Sequence, residues 1–261
     1  MTSSHHLWDR AAALPVPVDG RRAPQAASLP AGLPTVAELF DFMRDAELRF
    51  ATLRMRIEER SQTARGEQVV ESEVAILHPG HARVMTRQAG AGPIGEYEVW
   101  IADGDLVRTY ASRHKLGTER PIRNRPRGLD DRDFPGASQV YEPLTALPME
   151  TLPETFVHPA GYCQNVLATG DCAIAGSDEV GGREAIVLTC AHPRTIEMAA
   201  DRPDFAIRVV VDRETGIMMR LTETIGGEVT RDAEVTDLAP DAPLAPTTFD
   251  FVFPTGTTML Y

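Results

Sequence analysis

The sequence predicts an α+β fold: one amphipathic helix followed by a long run of antiparallel β-strands. Three observations predict it. One capped amphipathic helix stands at the front of the ordered region. The apolar period then changes from 3.6 to 2 and stays there through most of the chain. Asp-Gly and Gly-Gly turns separate the alternating runs at hairpin spacing.

Residues 1–34 are rich in Ala, Pro and polar residues and carry no sustained period, so they read as a disordered N-terminal tail. The domain is expected from Thr35 to Tyr261. Thr35-Val36-Ala37-Glu38 has the capping-box pattern, in which a hydroxyl and a carboxylate satisfy free N–H groups at a helix start. Val36, Leu39, Phe40, Met43, Ala46 and Phe50 recur at helical spacing, which predicts a helix from about Val36 to Arg49.

Leu53, Met55 and Ile57 then alternate with polar residues, as do Val70 to Ile76 and the shorter run Arg83 to Gln88. Tyr97 to Ile101 and Leu106 to Ala111 flank Asp103-Gly104, whose positive φ angles suit a tight hairpin. Residues 112–161 interrupt the pattern as a long charged insertion with five prolines after Phe134. Short helices are expected in it near Ala137 to Val140 and Glu150 to Phe156. Strands resume at Val166 to Ala175, Glu184 to Ala191, Phe205 to Val211, Ile217 to Ile225 and Glu228 to Asp237. Phe249 to Tyr261 supplies one more strand or edge segment.

Composition narrows the function. The chain has 261 residues, 43% hydrophobic and 25% charged, and a formal net charge of -12. Such a chain buries a sizeable core. Its acidity disfavours nucleic acid and anionic membrane surfaces as partners, and no apolar run approaches the length of a membrane span. Lys115 is the lone lysine among 26 basic residues. Cys163, Cys172 and Cys190 are an odd, sparse set and read as reduced thiols, although Cys163 and Cys172 would close a short loop in an oxidising compartment. The first residues lack the uninterrupted apolar run of a secretory signal, so a cytoplasmic location is expected.

No catalytic motif emerges. His78-Pro79-Gly80-His81 reads as a surface turn, because Pro-Gly forbids the helix on which two histidines would share a metal. His158-Pro159 reads as loop punctuation. There is no G-x-S-x-G elbow and no phosphate-binding glycine loop. Cys163 with His158 is the one conceivable thiol–imidazole pair. The expectation is a non-enzymatic protein without metal or cofactor.

Four segments resemble the LolA/LolB/RseB superfamily of lipoprotein carriers and envelope-stress sensors. They are the capped helix running into the first strand, Thr35 to Glu59; the hairpin Val99 to Tyr110 around Asp103-Gly104; Val180-Gly181-Gly182-Arg183-Glu184-Ala185 followed by Asp212-Arg213-Glu214-Thr215-Gly216; and the closing Phe249-Asp250-Phe251-Val252-Phe253-Pro254-Thr255-Gly256. The resemblance covers about residues 35–260. It implies a strongly curved, unclosed antiparallel β-sheet, a half-barrel, with a helical lid and an apolar cavity that takes acyl chains, in proteins that are exported and bind lipid-bearing molecules. This chain departs from it in lacking a signal peptide and a lipobox cysteine, and in its long insertion.

The expected function is therefore binding of a hydrophobic or lipid-like ligand, as carrier or sensor, with an acylated small molecule or a lipoprotein as partner. Leu53, Met55, Ile57, Val74, Ile76, Val84 and Trp100 fall on one alternating face and are the expected lining. The alternative is a cytoplasmic regulatory or interaction protein with a filled core, meeting a protein partner through its tail and insertion.

Overall fold

The computed structural model describes residues 26–63, 66–90, 95–122, 143–194 and 202–260. Thr35 opens helix α1 (Val36–Arg44) with the expected capping box. Its hydroxyl accepts from the Glu38 N–H at 3.2 Å, and its own N–H donates to the Glu38 carboxylate at 2.7 Å. The helical path breaks at Asp45 and continues as a 3-10 turn, Ala46–Arg49. Asp45 caps the helix, and its buried carboxylate is held by the Ala27 N–H and the Arg44 guanidinium.

Residues 26–34, placed in the tail by composition, thus run along the domain. Arg49 donates to the carbonyls of Ala27, Phe42 and Thr215 and stacks on the Phe42 ring, 3.7 Å from its centroid. Burial pulls its pKa down to about 10, which leaves it charged at neutral pH. Arg213 reaches the carbonyls of Pro30, Ala31 and Gly32.

Among the described residues twelve strands form one sheet: β1 (Thr52–Thr63), β2 (Gly66–Leu77), β3 (His81–Gln88), β4 (Tyr97–Asp103), β5 (Leu106–Ala111), β6 (Leu116–Pro121), β7 (Asp171–Val180), β8 (Arg183–Ala191), β9 (Phe205–Asp212), β10 (Met218–Ile225), β11 (Glu228–Pro240) and β12 (Thr258–Leu260). Their order is β12-β6-β5-β4-β3-β2-β1-β11-β10-β9-β8-β7. Two meanders, β1 to β6 and β7 to β11, are joined by antiparallel pairing of β1 with β11. Twist accumulates over so many strands, and residues of both meanders meet in one core with the helices. The sheet is the expected unclosed half-barrel: it wraps the helices and leaves β12 and β7 as edges.

Helices α2 (Leu152–Val157) and α3 (Ala160–Asn165), with a 3-10 turn at Leu167–Thr169, fill the inner side beside α1. Phe156 and Leu167 are fully buried, and Cys163 almost so.

Four details differ from the sequence reading. β6 lies inside the segment assigned to the insertion. Leu116-Gly117-Thr118-Glu119-Arg120-Pro121 shows no apolar alternation because its pairing is carried by backbone and polar side chains: Thr109 with Thr118 at 2.6 Å, and Arg108 with Glu119 at 2.7 Å. β7 begins at Asp171, since Val166 to Thr169 complete α3 and the turn after it. β12 pairs parallel with β6, in a sheet otherwise antiparallel. His78 is buried rather than on a surface turn: its ring lies 5.1 Å from that of Phe50, and its Nδ1 is 2.7 Å from the Thr145 hydroxyl. The helix expected near Ala137 to Val140 lies outside the described residues.

The chain end covers the outer face of the first meander. Val99 and Tyr110 are buried there, with the Phe251 ring 6.2 Å from Tyr110 and Phe253 edge-on to Phe251. Gly117 admits Phe253. A Cβ on Gly117 would stand 2.7 Å from that ring.

Candidate ligand-binding face

The register places the seven expected lining residues together. Leu53 pairs with Ile76, and Met55, Val74, Val84 and Trp100 form a row across β1, β2, β3 and β4. Ile57 stands one step further along β1, opposite Ser72, whose hydroxyl is 3.2 Å from that of Thr86. Because a strand alternates faces with period 2, all seven point inward.

The structure also shows how this face is covered. Leu53, Met55, Ile57, Val74, Ile76 and Val84 are each at most 4% exposed. They share one core with Leu39 and Met43 of α1, Phe50, Leu147, and Phe156 and Val157 of α2. Trp100 is half-buried and packs against that core. In this state the apolar face is closed by side chains. Two hollows of about 180 and 540 Å³ lie on the opposite, outer side. The larger is lined by Arg54, Arg56, Arg83, Glu73, Asp237 and Thr248 among others.

Polar groups staple the cover to the sheet end. The Glu47 carboxylate, 7% exposed, accepts from the Leu144 N–H at 2.6 Å and lies 3.4 Å from His158 Nε2. The Thr145 hydroxyl meets both His78 Nδ1 and the Gly80 N–H. His158, read from sequence as loop punctuation, is the half-buried C-cap of α2. No spacing signal foretold this cluster, whose members come from four separate stretches of chain.

Charge returns where the apolar rows end. Arg231 of β11 sits between Glu59 of β1 at 2.6 Å and Glu223 of β10 at 3.7 Å, all three on the inner face. Tyr162 of α3 packs against the core nearby, and its buried hydroxyl makes no hydrogen bond among the described residues. Burial, then the Glu223 charge, push the Tyr162 phenol far above its ordinary value. This rim is a polar border on an apolar floor.

The thiol–imidazole pairing is not formed. Cys163 faces the Met43 sulfur at 4.0 Å, and burial pushes its thiol up to about 12, so it is protonated at neutral pH and a poor nucleophile. Among the described residues no group of three His, Cys, Asp or Glu is placed to hold a metal ion. No described helix is long and apolar enough to cross a membrane.

No family profile matches the chain, and no curated protein matches it. Solved structures of similar fold include an uncharacterized conserved protein from Thermus thermophilus. It is 11% identical with a TM-score of 0.46, over 86% of this chain and 97% of that one. The MucA/MucB complex of Pseudomonas aeruginosa matches at 15% identity and a TM-score of 0.46, over 83% of this chain and 61% of that one. A LolA superfamily protein from Nitrosomonas europaea matches at 11% identity and a TM-score of 0.33, over 83% and 98%. The chain thus spans about three fifths of the length of the chain it matches in that complex.

Proposed function

We propose that the protein is a non-enzymatic binder of an apolar or acylated molecule, a carrier or sensor whose lid is closed in this structure. The observation that carries this reading is the inner face itself. A four-strand apolar row, Met55, Val74, Val84 and Trp100, packs in one core with α1, Phe50 and α2, and the charged Glu59–Arg231–Glu223 rim lies further along the same face. Helices α2 and α3 are six residues each and have no side-chain N-cap. Helices that short hold together by packing alone, and their displacement is the step by which a ligand would enter this core. An acyl chain would replace the lid's apolar side chains on Leu53, Met55, Ile57, Val74, Ile76, Val84 and Trp100, and the rim would meet a polar headgroup.

Native mass spectrometry of freshly purified protein tests this. One bound lipid per chain is the expected result. A clean apo mass, with no uptake of an added fluorescent fatty acid, overturns it.

A second reading is favoured by one observation, the near-complete burial of six of the seven lining residues. On that reading the filled core is permanent, and the protein is a regulatory or interaction module. It requires that no apolar ligand compete with the lid at any concentration below the ligand's solubility.

A further inference from the structure

On the second meander, away from the apolar row, Cys172 and Cys190 meet in register across β7 and β8. Directly opposed residues of an antiparallel pair project to the same side. Here both sulfurs also rest on one atom: Cys172 Sγ lies 3.1 Å and Cys190 Sγ 3.3 Å from the Leu167 carbonyl oxygen. Leu167 begins the 3-10 turn that leads from α3 into β7. Gly170 makes the room, since a Cβ there would stand 2.8 Å from the Cys190 sulfur and 2.6 Å from the Ala191 carbonyl. β7 is an edge of the sheet, so Cys172 is half-exposed while Cys190 is buried behind it. Both are free thiols.

We propose that Cys172 and Cys190 form an oxidisable cross-strand dithiol, a modification site whose co-reactant is a small-molecule disulfide of the glutathione type. The Cys172 thiolate attacks one sulfur of glutathione disulfide. That S–S bond breaks, one glutathione thiolate leaves, and a mixed disulfide forms on Cys172. Cys190 then gives up its proton and attacks the Cys172 sulfur, displacing the second glutathione thiolate. Two protein S–H bonds become one S–S bond. Glutathione disulfide is reduced to two glutathione molecules, which carry the two protons.

Two physical points support the order and the outcome. Opposed Cα atoms of an antiparallel pair are about 4.5–5.5 Å apart, inside the roughly 4.4–6.8 Å that a disulfide spans. The Cys190 thiol beside it holds Cys172 below the ordinary thiol range, which makes the half-exposed residue the attacker, and the register that places Cys190 opposite it makes the buried residue the resolver. Cys163, sealed against Met43, is an internal control.

The test is exposure of the full-length, reduced protein to oxidised glutathione, followed by acid quench, thiol counting in denaturant and peptide mapping. The expected result is loss of two of the three thiols, one peptide pair linked through Cys172 and Cys190, and Cys163 still free. Cys190→Ser should stop at a glutathione adduct on Cys172, and Cys163→Ser should oxidise as the parent does. Retention of all three thiols, a cross-link that includes Cys163, or a parent protein that stops at the glutathione adduct would each overturn the proposal.

Discussion

At the scale of single residues, the most informative positions are the polar ones inside. Tyr162 carries a buried hydroxyl with no hydrogen bond among the described residues. A hydroxyl buried without a partner costs about 1–3 kcal/mol. Tyr162→Phe should therefore raise the free energy of unfolding by about 1 kcal/mol in urea titration; a loss of that size would mean the hydroxyl has a native partner. Asp232 is the opposite case. Arg220 holds it through two hydrogen bonds, at 2.9 and 2.7 Å, and keeps its carboxyl below the ordinary value. The sign follows from linkage: a carboxylate with a lowered folded pKa adds stability that is present above the unfolded pKa and is lost as pH falls through the folded one. Stability should drop with acid in that window, and Asp232→Asn should flatten the slope there while leaving the dependence near neutrality unchanged. Denaturation midpoints across the acid range measure both.

At the scale of elements, legibility tracked side-chain patterning. Helix α1 and the Asp103-Gly104 hairpin were plain in the sequence because each carries its own capping or turn chemistry. β6 was hidden because a strand stitched by Arg108–Glu119 and Thr109–Thr118 needs no apolar alternation. β7 was displaced because Val166 and Leu167 look like strand residues locally, yet the first caps α3 and the second opens the turn after it, both packed on the core. Of the candidate site, the inward alternation of Leu53, Met55 and Ile57 was legible. The rim of Glu59, Arg231 and Glu223 was not, since it depends on long-range register between β1, β11 and β10. The chain end offers an element-level prediction. Gly117→Val should collide with Phe253 and lift the C-terminal segment from the outer face. Limited proteolysis should then cut between residues 245 and 257 faster than in the parent. Unchanged protection would show that the segment is held from elsewhere.

For the whole molecule, the net charge of -12 acquires a location. The outer face carries ladders of paired charge, such as Arg56 with Glu73, Arg108 with Glu119, and Arg220 with Asp232. The inner face is mostly apolar, with Ser72, Thr86 and the Glu59–Arg231–Glu223 rim as polar positions on it. On the proposed reading, the apolar side chains that cover the inner face are exchanged for an apolar ligand. Trp100 reports on that exchange. It is one of two tryptophans, so Trp8→Phe leaves it as the sole emitter. Titration of this variant with parinaric acid, followed by energy transfer from Trp100, tests the central claim most directly. Saturable transfer at one fatty acid per chain is the predicted result. Folded protein showing no saturable transfer up to the solubility of the acid would contradict it.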